Sequence, residues 1–508
     1  MRTKIIFMLA ICFFLLPLST CEKSEPRLST SSPEALALYN DGIILAEKFH
    51  DAEAIEKFKA AIDLDSTFAM AYYHLSRTYE SAGNLAQARE NLQKAEKYIG
   101  ELESLIEWMY INGWDRVLDN DIAGAIGKYQ EILEKHPSDR HALFVLGKTY
   151  RLAKNYPESV NILKKLVAKY PKYAPGFNQL GYTYYEMGNY EQATAMFKQY
   201  AELEPDEPNP YDSLGDMYRA QGNYQAAITN YQKALEIAPN FYTSFRNLGL
   251  SYFGAGKYDS AITTYNQFIE KFTEREWERD AHSDLVEVYL ATGQYNKALE
   301  QIDKALALSE TKFSKSWAIA KKGYIYYLKN DFPTALRFFN QSLTIFPDAI
   351  WSREWRGLVF LKQQNYDQAL TEAEKMKALI DQFGLKGYQC SYNNLLGRAA
   401  MEQGLYDQAI IYFKDSIELD PASCRYPMAI TYFKKGEYDK TIDLCNEFFK
   451  YNPNHALAHL LLAQVYKKQD KTELARSEYQ EFLNTWQNAD EGLPELSLAQ
   501  NAINELMK

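Results

Sequence analysis

Leu146-Gly147-Lys148-Thr149-Tyr150, Leu180-Gly181-Tyr182-Thr183-Tyr184, Leu214-Gly215-Asp216-Met217-Tyr218 and Leu248-Gly249-Leu250-Ser251-Tyr252 are four copies of one signature, with their glycines 34 residues apart. Twelve residues after each glycine stands a small residue, Ser159, Ala193, Ala227 or Ala261. Twelve further on, Pro171, Pro205 and Pro239 close three of the four copies. Between these points lie the turns Gly188-Asn189-Tyr190, Gly222-Asn223-Tyr224 and Gly256-Lys257-Tyr258. Apolar residues recur at helical spacing on both sides of each turn, so the unit is predicted to be a helical hairpin. One hairpin cannot bury its apolar face, whereas a stack of them can.

Each recurring residue type has a mechanical reason. Gly and Ala are small enough to let two helices cross closely, and Tyr and Phe fill the space between neighbouring hairpins. Proline ends the second helix and opens the turn to the next unit. The period, the small and aromatic positions and the closing proline together resemble the tetratricopeptide repeat. That resemblance implies an all-α, right-handed superhelical solenoid. Extending the register gives about thirteen repeats, beginning near residues 35, 69, 106, 140, 174, 208, 242, 279, 316, 350, 390, 422 and 456. Ser76 and Ala463 replace the glycine in the repeats at 69 and 456. After Pro494, the residues Leu496, Ala499, Ile503 and Leu506 share a helical face, as in the helix that caps such arrays. Each repeat is expected to touch only its sequence neighbours.

Composition narrows the function. With 46% hydrophobic and 24% charged residues the chain is of ordinary globular type. Its net charge of −11 argues against a surface that neutralises nucleic-acid phosphates. The 40 tyrosines are explained by the repeat, so any single one is more readily core than site.

The amino terminus reads as an address. Arg2 and Lys4 precede an apolar run from Ile5 to Leu18, the n- and h-regions of a secretory signal. The ending Leu18-Ser19-Thr20-Cys21 resembles the bacterial lipobox, with Thr20 in place of the usual Gly, Ala or Ser. This assigns residues 1–20 to a signal peptide, Cys21 to lipid attachment and residues 21–34 to a lipidated tether. The expected location is the bacterial envelope, on the outer membrane, with the body of the chain extracytoplasmic. Cys390, Cys424 and Cys445 then remain, an odd number that fits thiols better than a disulfide framework.

Spacing departs from 34 most strongly around residues 378–430, where Gly384 and Gly387 sit in an insertion and Pro427 falls in a first helix that should be truncated. The array is therefore divided into residues 35–389, of about ten repeats, and 390–489, of about three, followed by a capping helix over 490–508. No phosphate loop, dinucleotide-binding glycine pattern or His-Glu-x-x-His is present, and the repeats leave no room for a catalytic domain. His455 and His459 stand four apart but lack a third ligand in spacing. No enzyme, cofactor, metal or small-molecule substrate is expected.

What remains is the groove that the resemblance implies. In the family, exposed residues near the second, fifth, ninth and twelfth positions of each first helix line the concave face. In three central repeats these are Asn178, Tyr182, Tyr185, Asp212, Asp216, Arg219, Arg246 and Phe253. Further on they become Trp317, Tyr324, Tyr327 and Trp351, an aromatic stretch that a partner would cover. The leading expectation is a membrane-tethered scaffold that binds a protein or peptide. The alternative is a glycan- or nutrient-binding lipoprotein, because aromatic platforms also stack sugars.

Overall fold

The structure, a computed structural model, describes residue 28 and residues 30–99, 104–420, 424–450 and 452–507. The signal and Cys21 lie outside the described residues. The chain divides into two compact units, Met1–Met187 and Gly188–Lys508.

Unit 1 carries α1 (Pro33–Glu47), α2 (Asp51–Leu64), α3 (Ala69–Ser81), α4 (Leu85–Tyr98), α5 (Leu105–Leu118), α6 (Ile122–Lys135), α7 (Arg140–Leu152), α8 (Tyr156–Lys169) and α9 (Ala174–Glu186). Unit 2 carries α10 (Tyr190–Leu203), α11 (Pro208–Ala220), α12 (Tyr224–Ile237), α13 (Tyr242–Gly254), α14 (Tyr258–Lys271), α15 (Arg275–Ala291), α16 (Tyr295–Leu308), α17 (Lys312–Leu328), α18 (Phe332–Ile345), α19 (Ile350–Lys362), α20 (Tyr366–Phe383), α21 (Gln389–Glu402), α22 (Tyr406–Leu419), α23 (Arg425–Lys435), α24 (Tyr438–Phe449), α25 (Ala456–Lys468), α26 (Thr472–Thr485) and α27 (Pro494–Leu506). The odd-numbered helices through α25 begin within four residues of the thirteen predicted starts. No helix among the described residues is long and apolar enough to cross a membrane.

The signature glycines sit where the two helices of a hairpin touch. A Cβ added to Gly215 would lie 2.5 Å from the Tyr231 ring, and one on Gly397 2.5 Å from Phe413. The same sixteen-residue pairing joins Gly147 to Leu163 and Gly249 to Tyr265. Where Ser76 replaces the glycine, its hydroxyl donates to Ala88 O (2.7 Å) and accepts from Trp114 Nε1 (2.9 Å). Gly215→Leu is therefore expected to force the ring of Tyr231 out of its seat. Overpacking of this kind costs about 1–3 kcal/mol, readable as a lowered denaturation midpoint; an unchanged midpoint would remove the crossing-point account.

The Gly-Asn-Tyr turns are equally specific. Gly222 takes φ +72°, a left-handed conformation that costs glycine little. Asn223 then accepts from Ala226 N (3.2 Å) as the cap of α12. At other turns non-glycine residues take this conformation, among them Asn120, Lys154 and Gln364. Pro427 does shorten its helix, since α23 has 11 residues. Cys390, Cys424 and Cys445 are thiols.

One expectation is corrected. Contacts in unit 2 are not confined to sequence neighbours, because Trp486 Nε1 donates to Ala291 O (3.0 Å) across 195 positions. The face of α27 bearing Ala499 and Ile503 is buried in one apolar cluster with residues of α15, α16 and α17. The terminal helix thus covers earlier repeats as well as the last one.

Candidate functional site

In unit 1, the turn after α1 and the exposed-register faces of α3, α7 and α9 enclose a cavity of about 120 Å³. Arg77 and Lys148 stand at the ninth positions of α3 and α7, and His141 at the second position of α7. The Arg77 guanidinium reaches His141 Nε2 (3.0 Å) and the Tyr73 hydroxyl (3.4 Å). A guanidinium can only donate, so His141 Nε2 accepts and the ring is neutral. Burial and then the adjacent Arg77 charge hold the His141 pKa well below its ordinary value. Tyr73 and Trp114 present their rings to Arg77 at 5.6 Å each.

No carboxylate among the described residues lies within ion-pair distance of Arg77 or Lys148. Burial, followed by the repulsion of Arg77, pulls the Lys148 ammonium down to about 8. The cavity's own acids are largely committed elsewhere. Glu47 accepts from the Tyr173 hydroxyl (3.0 Å) and faces Arg140 (3.7 Å). Burial raises the pKa of Asp51, and Glu80 is the remaining acid in the wall. Asn178, 1% exposed, lines the same cavity with its Oδ1 unpartnered. Tyr182 is half-buried and Tyr185 exposed on the same helix. The cavity therefore offers two cations and a buried amide to an incoming anionic group.

In unit 2 the predicted polar groove is satisfied from within. Asp212 accepts from Ser244 Oγ (2.6 Å), and burial, with Asp216 adding, pushes its pKa up to about 7. Asp216 accepts from the Tyr231 hydroxyl (2.6 Å) and Asn247 Nδ2 (3.1 Å), and lies 3.6 Å from Arg219. Arg246 forks onto Asp284 through Nε (2.7 Å) and Nη2 (3.3 Å). Phe253 is half-buried against Tyr258.

The aromatic stretch is also covered, by the chain itself. Lys321 Nζ lies 5.5 Å from the ring centres of Trp317 and Tyr324 and 5.2 Å from that of Trp355. Its charge is balanced by Glu287 at 2.7 Å. Tyr327 packs against Tyr324 at 5.8 Å. Trp351 is not on an open face: it is 9% exposed, stacked on Phe346 and edge-on to Phe313. The physical reason is the start of α19, where the second helical position turns into the cluster formed with α18 instead of toward solvent. Asn178 and Asp212, at the fifth positions of α9 and α11, are also buried.

His455 caps α25, its Nδ1 accepting from Ala458 N (3.1 Å), and His459 Nδ1 lies 2.6 Å from Glu478. Among the described residues, no group of three or more His, Cys, Asp or Glu is arranged to hold a metal.

Six profiles of the tetratricopeptide repeat match the chain, over residues 69–99, 113–174, 152–214, 215–256, 244–274, 277–348, 391–423 and 426–490. A TPR repeat-containing protein of Methanocaldococcus jannaschii is 26% identical over 170 residues, 33% of this chain and 28% of that protein. The photosystem I assembly protein Ycf3 of Acaryochloris marina is 31% identical over 105 residues, 20% of this chain and 63% of that protein. The chain thus spans less than two thirds of the length of either relative. Among solved structures, MamA protein is 26% identical, with 33% of this chain and 91% of that one covered at a TM-score of 0.30. A tetratricopeptide repeat protein from Parabacteroides merdae is 18% identical, with 50% and 98% covered at a TM-score of 0.40. Arrays of this kind are protein-interaction modules. From the register, the hairpin contacts and the profile matches together, the chain belongs to the tetratricopeptide repeat family.

Proposed function

We propose that the protein is an envelope scaffold, tethered through Cys21, whose unit 1 cavity receives an acidic segment of a protein partner. The observation that carries the binding reading is Arg77: a guanidinium drawn into a cavity wall with no carboxylate in ion-pair reach. Withdrawing a charge from water without a counter-charge is costly, and an incoming carboxylate relieves that cost. Lys148 and Asn178 converge on the same space. The glycan alternative draws no support from the aromatic stretch, where Lys321 lies against Trp317 and Tyr324, Tyr327 packs on Tyr324, and Trp351 is buried against Phe346 and Phe313.

Binding is testable with a fluorescein-labelled peptide of Asp, Glu and Leu, compared with one of Lys and Leu. The acidic peptide is expected to bind and the basic one not. Hydrogen bonds to charged groups contribute about 1.5–3 kcal/mol, so Arg77→Ala should weaken binding at least about tenfold with the helical signal intact. Affinity should fall as pH rises through about 8, because Lys148 loses its proton there while Arg77 stays charged. Equal affinity of wild type and Arg77→Ala would end this reading of the cavity.

The tether has a separate test. Wild-type protein is expected to take up radiolabelled palmitate in a bacterial host, and Cys21→Ala to yield an unlabelled protein released from the membrane fraction. Absence of label on the wild type would remove the anchor and leave the binding reading untouched.

A further inference from the structure

Unit 2 holds a cavity of about 330 Å³ between the first helices of the repeats beginning near 350, 390 and 422. Its walls carry residues of the groove register. Glu354, Asn394 and Tyr426 stand at the fifth positions of those repeats, and Arg398 at the ninth position of the middle one. Phe448 of α24 extends the wall beside Tyr426.

Two opposite charges border this space without meeting each other. Asn394 stands between them, its Nδ2 donating to Glu354 Oε1 (2.8 Å) and its Oδ1 accepting from Arg398 Nε (3.0 Å). Among the described residues, no cation lies within ion-pair distance of Glu354 and no carboxylate within that distance of Arg398. Other inner-face cations of unit 2 are spent within the chain. Arg219 lies 3.6 Å from Asp216, Arg246 is held by Asp284 at 2.7 Å, and Lys321 meets Glu287 at 2.7 Å. Burial raises the Glu354 pKa, and the hydrogen bond from Asn394 and the charge of Arg398 offset this only in part. An ammonium arriving at Glu354 and a carboxylate arriving at Arg398 would each supply a missing counter-charge.

Spacing selects the molecule. The two charges are separated by one side-chain amide, close to the distance between an ammonium and a carboxylate on a single α-carbon. A peptide carries those two groups at opposite ends and cannot present them together. The apolar side of the cavity is formed by Tyr426 and Phe448, whose rings stack at 5.9 Å with an interplanar angle of 24°. Tyr426 is held in place by its hydroxyl, which donates to Leu457 O (3.1 Å). A wall of two rings suits an apolar side chain, and an aromatic one best.

We propose that Glu354, Asn394 and Arg398 form a binding site for a free α-amino acid with an apolar side chain. Its ammonium sits on Glu354, its carboxylate on Arg398, and its side chain against Tyr426 and Phe448. The site is independent of the acidic-segment cavity in unit 1, and neither reading rests on the other.

Equilibrium dialysis of the full-length protein against tritiated L-phenylalanine tests this. Saturable binding is expected, displaced by unlabelled L-phenylalanine. N-acetyl-L-phenylalanine lacks the ammonium and L-phenylalaninamide the carboxylate, so each should compete at least about tenfold more weakly. Glycine, with no side chain for the wall, should also compete more weakly. Arg398→Met and Glu354→Gln should each lower affinity at least about tenfold with the helical signal unchanged, whereas Arg77→Ala should bind as wild type does. The site is overturned if labelled phenylalanine does not bind saturably, or if glycine or either blocked derivative competes as well as phenylalanine. A folded Arg398→Met or Glu354→Gln that binds like wild type would overturn it equally. The competition arm uses the wild-type protein alone, so it decides the question whether or not a variant folds.

Discussion

Glu372→Ala is expected to destabilise unit 2 by about 3–5 kcal/mol, because it strips the counter-ion from buried guanidinium groups. The Glu372 side chain, on α20, is 4% exposed and meets Arg356 Nη2 at 2.8 Å and Arg353 Nη1 at 3.4 Å. Lys375 approaches the same carboxylate at 3.5 Å. Each arginine also donates to a neutral acceptor, Arg353 Nη2 to Pro347 O (2.8 Å) and Arg356 Nη1 to Asn340 Oδ1 (2.6 Å), but among the described residues neither has a second carboxylate to balance its charge. Removing one member of a buried ion cluster costs far more than the cluster itself contributes, since the remaining charges stay in place. Urea denaturation of wild type and Glu372→Ala measures the effect. A loss below about 1 kcal/mol, the range of exposed ion pairs, would mean that water reaches the arginines and the cluster is not buried in solution.

Trp351→Ala carries the second large effect, about 3–5 kcal/mol, the cost of deleting a buried aromatic together with the cavity left behind. The ring is stacked on Phe346 at 6.0 Å with an interplanar angle of 10°, and Phe313 meets it edge-on at 5.0 Å. Its Nε1 is buried without an acceptor, which makes Trp351→Phe informative. That change keeps an aromatic in the seat and removes the unpaired donor, so it should cost less than about 1.5 kcal/mol. Thermal melting of the two variants tests the pair. If Trp351→Ala melts like wild type, the ring belongs to an accessible surface and returns to the candidates for partner contact.

The repeat register was fully legible, because its signals are local and redundant. Gly215 must be small opposite Tyr231, Gly222 must turn and Asn223 must cap, and these needs recur in many copies. The groove was legible only in part. The positional rule that selects Asn178 and Asp216 also selects Tyr73, Arg77, His141 and Lys148 when applied to the repeats at 69 and 140. The repeat at 69 departs from the signature at Ser76, whereas the repeat at 140 carries it in full from Leu146 to Tyr150, so the regularity of the signature does not point to the cavity with unpaired cations. The same rule names Trp317 and Tyr324 without revealing that Lys321, on the same helix, occupies the space between their rings.

The sequence by itself determined helix type, hairpin length, repeat number and the small-against-large pairing inside each hairpin. All of these depend on residues a few turns apart, within reach of helical periodicity and turn chemistry. Only the tertiary structure decided which charges are paired and which ends meet. Arg246 is spent on Asp284, 38 positions away, whereas Arg77 meets no carboxylate among the described residues. Asp490 completes a helix that begins 195 positions before it. Such pairings depend on small rotations accumulated from one hairpin to the next, and no local pattern in the chain encodes that sum.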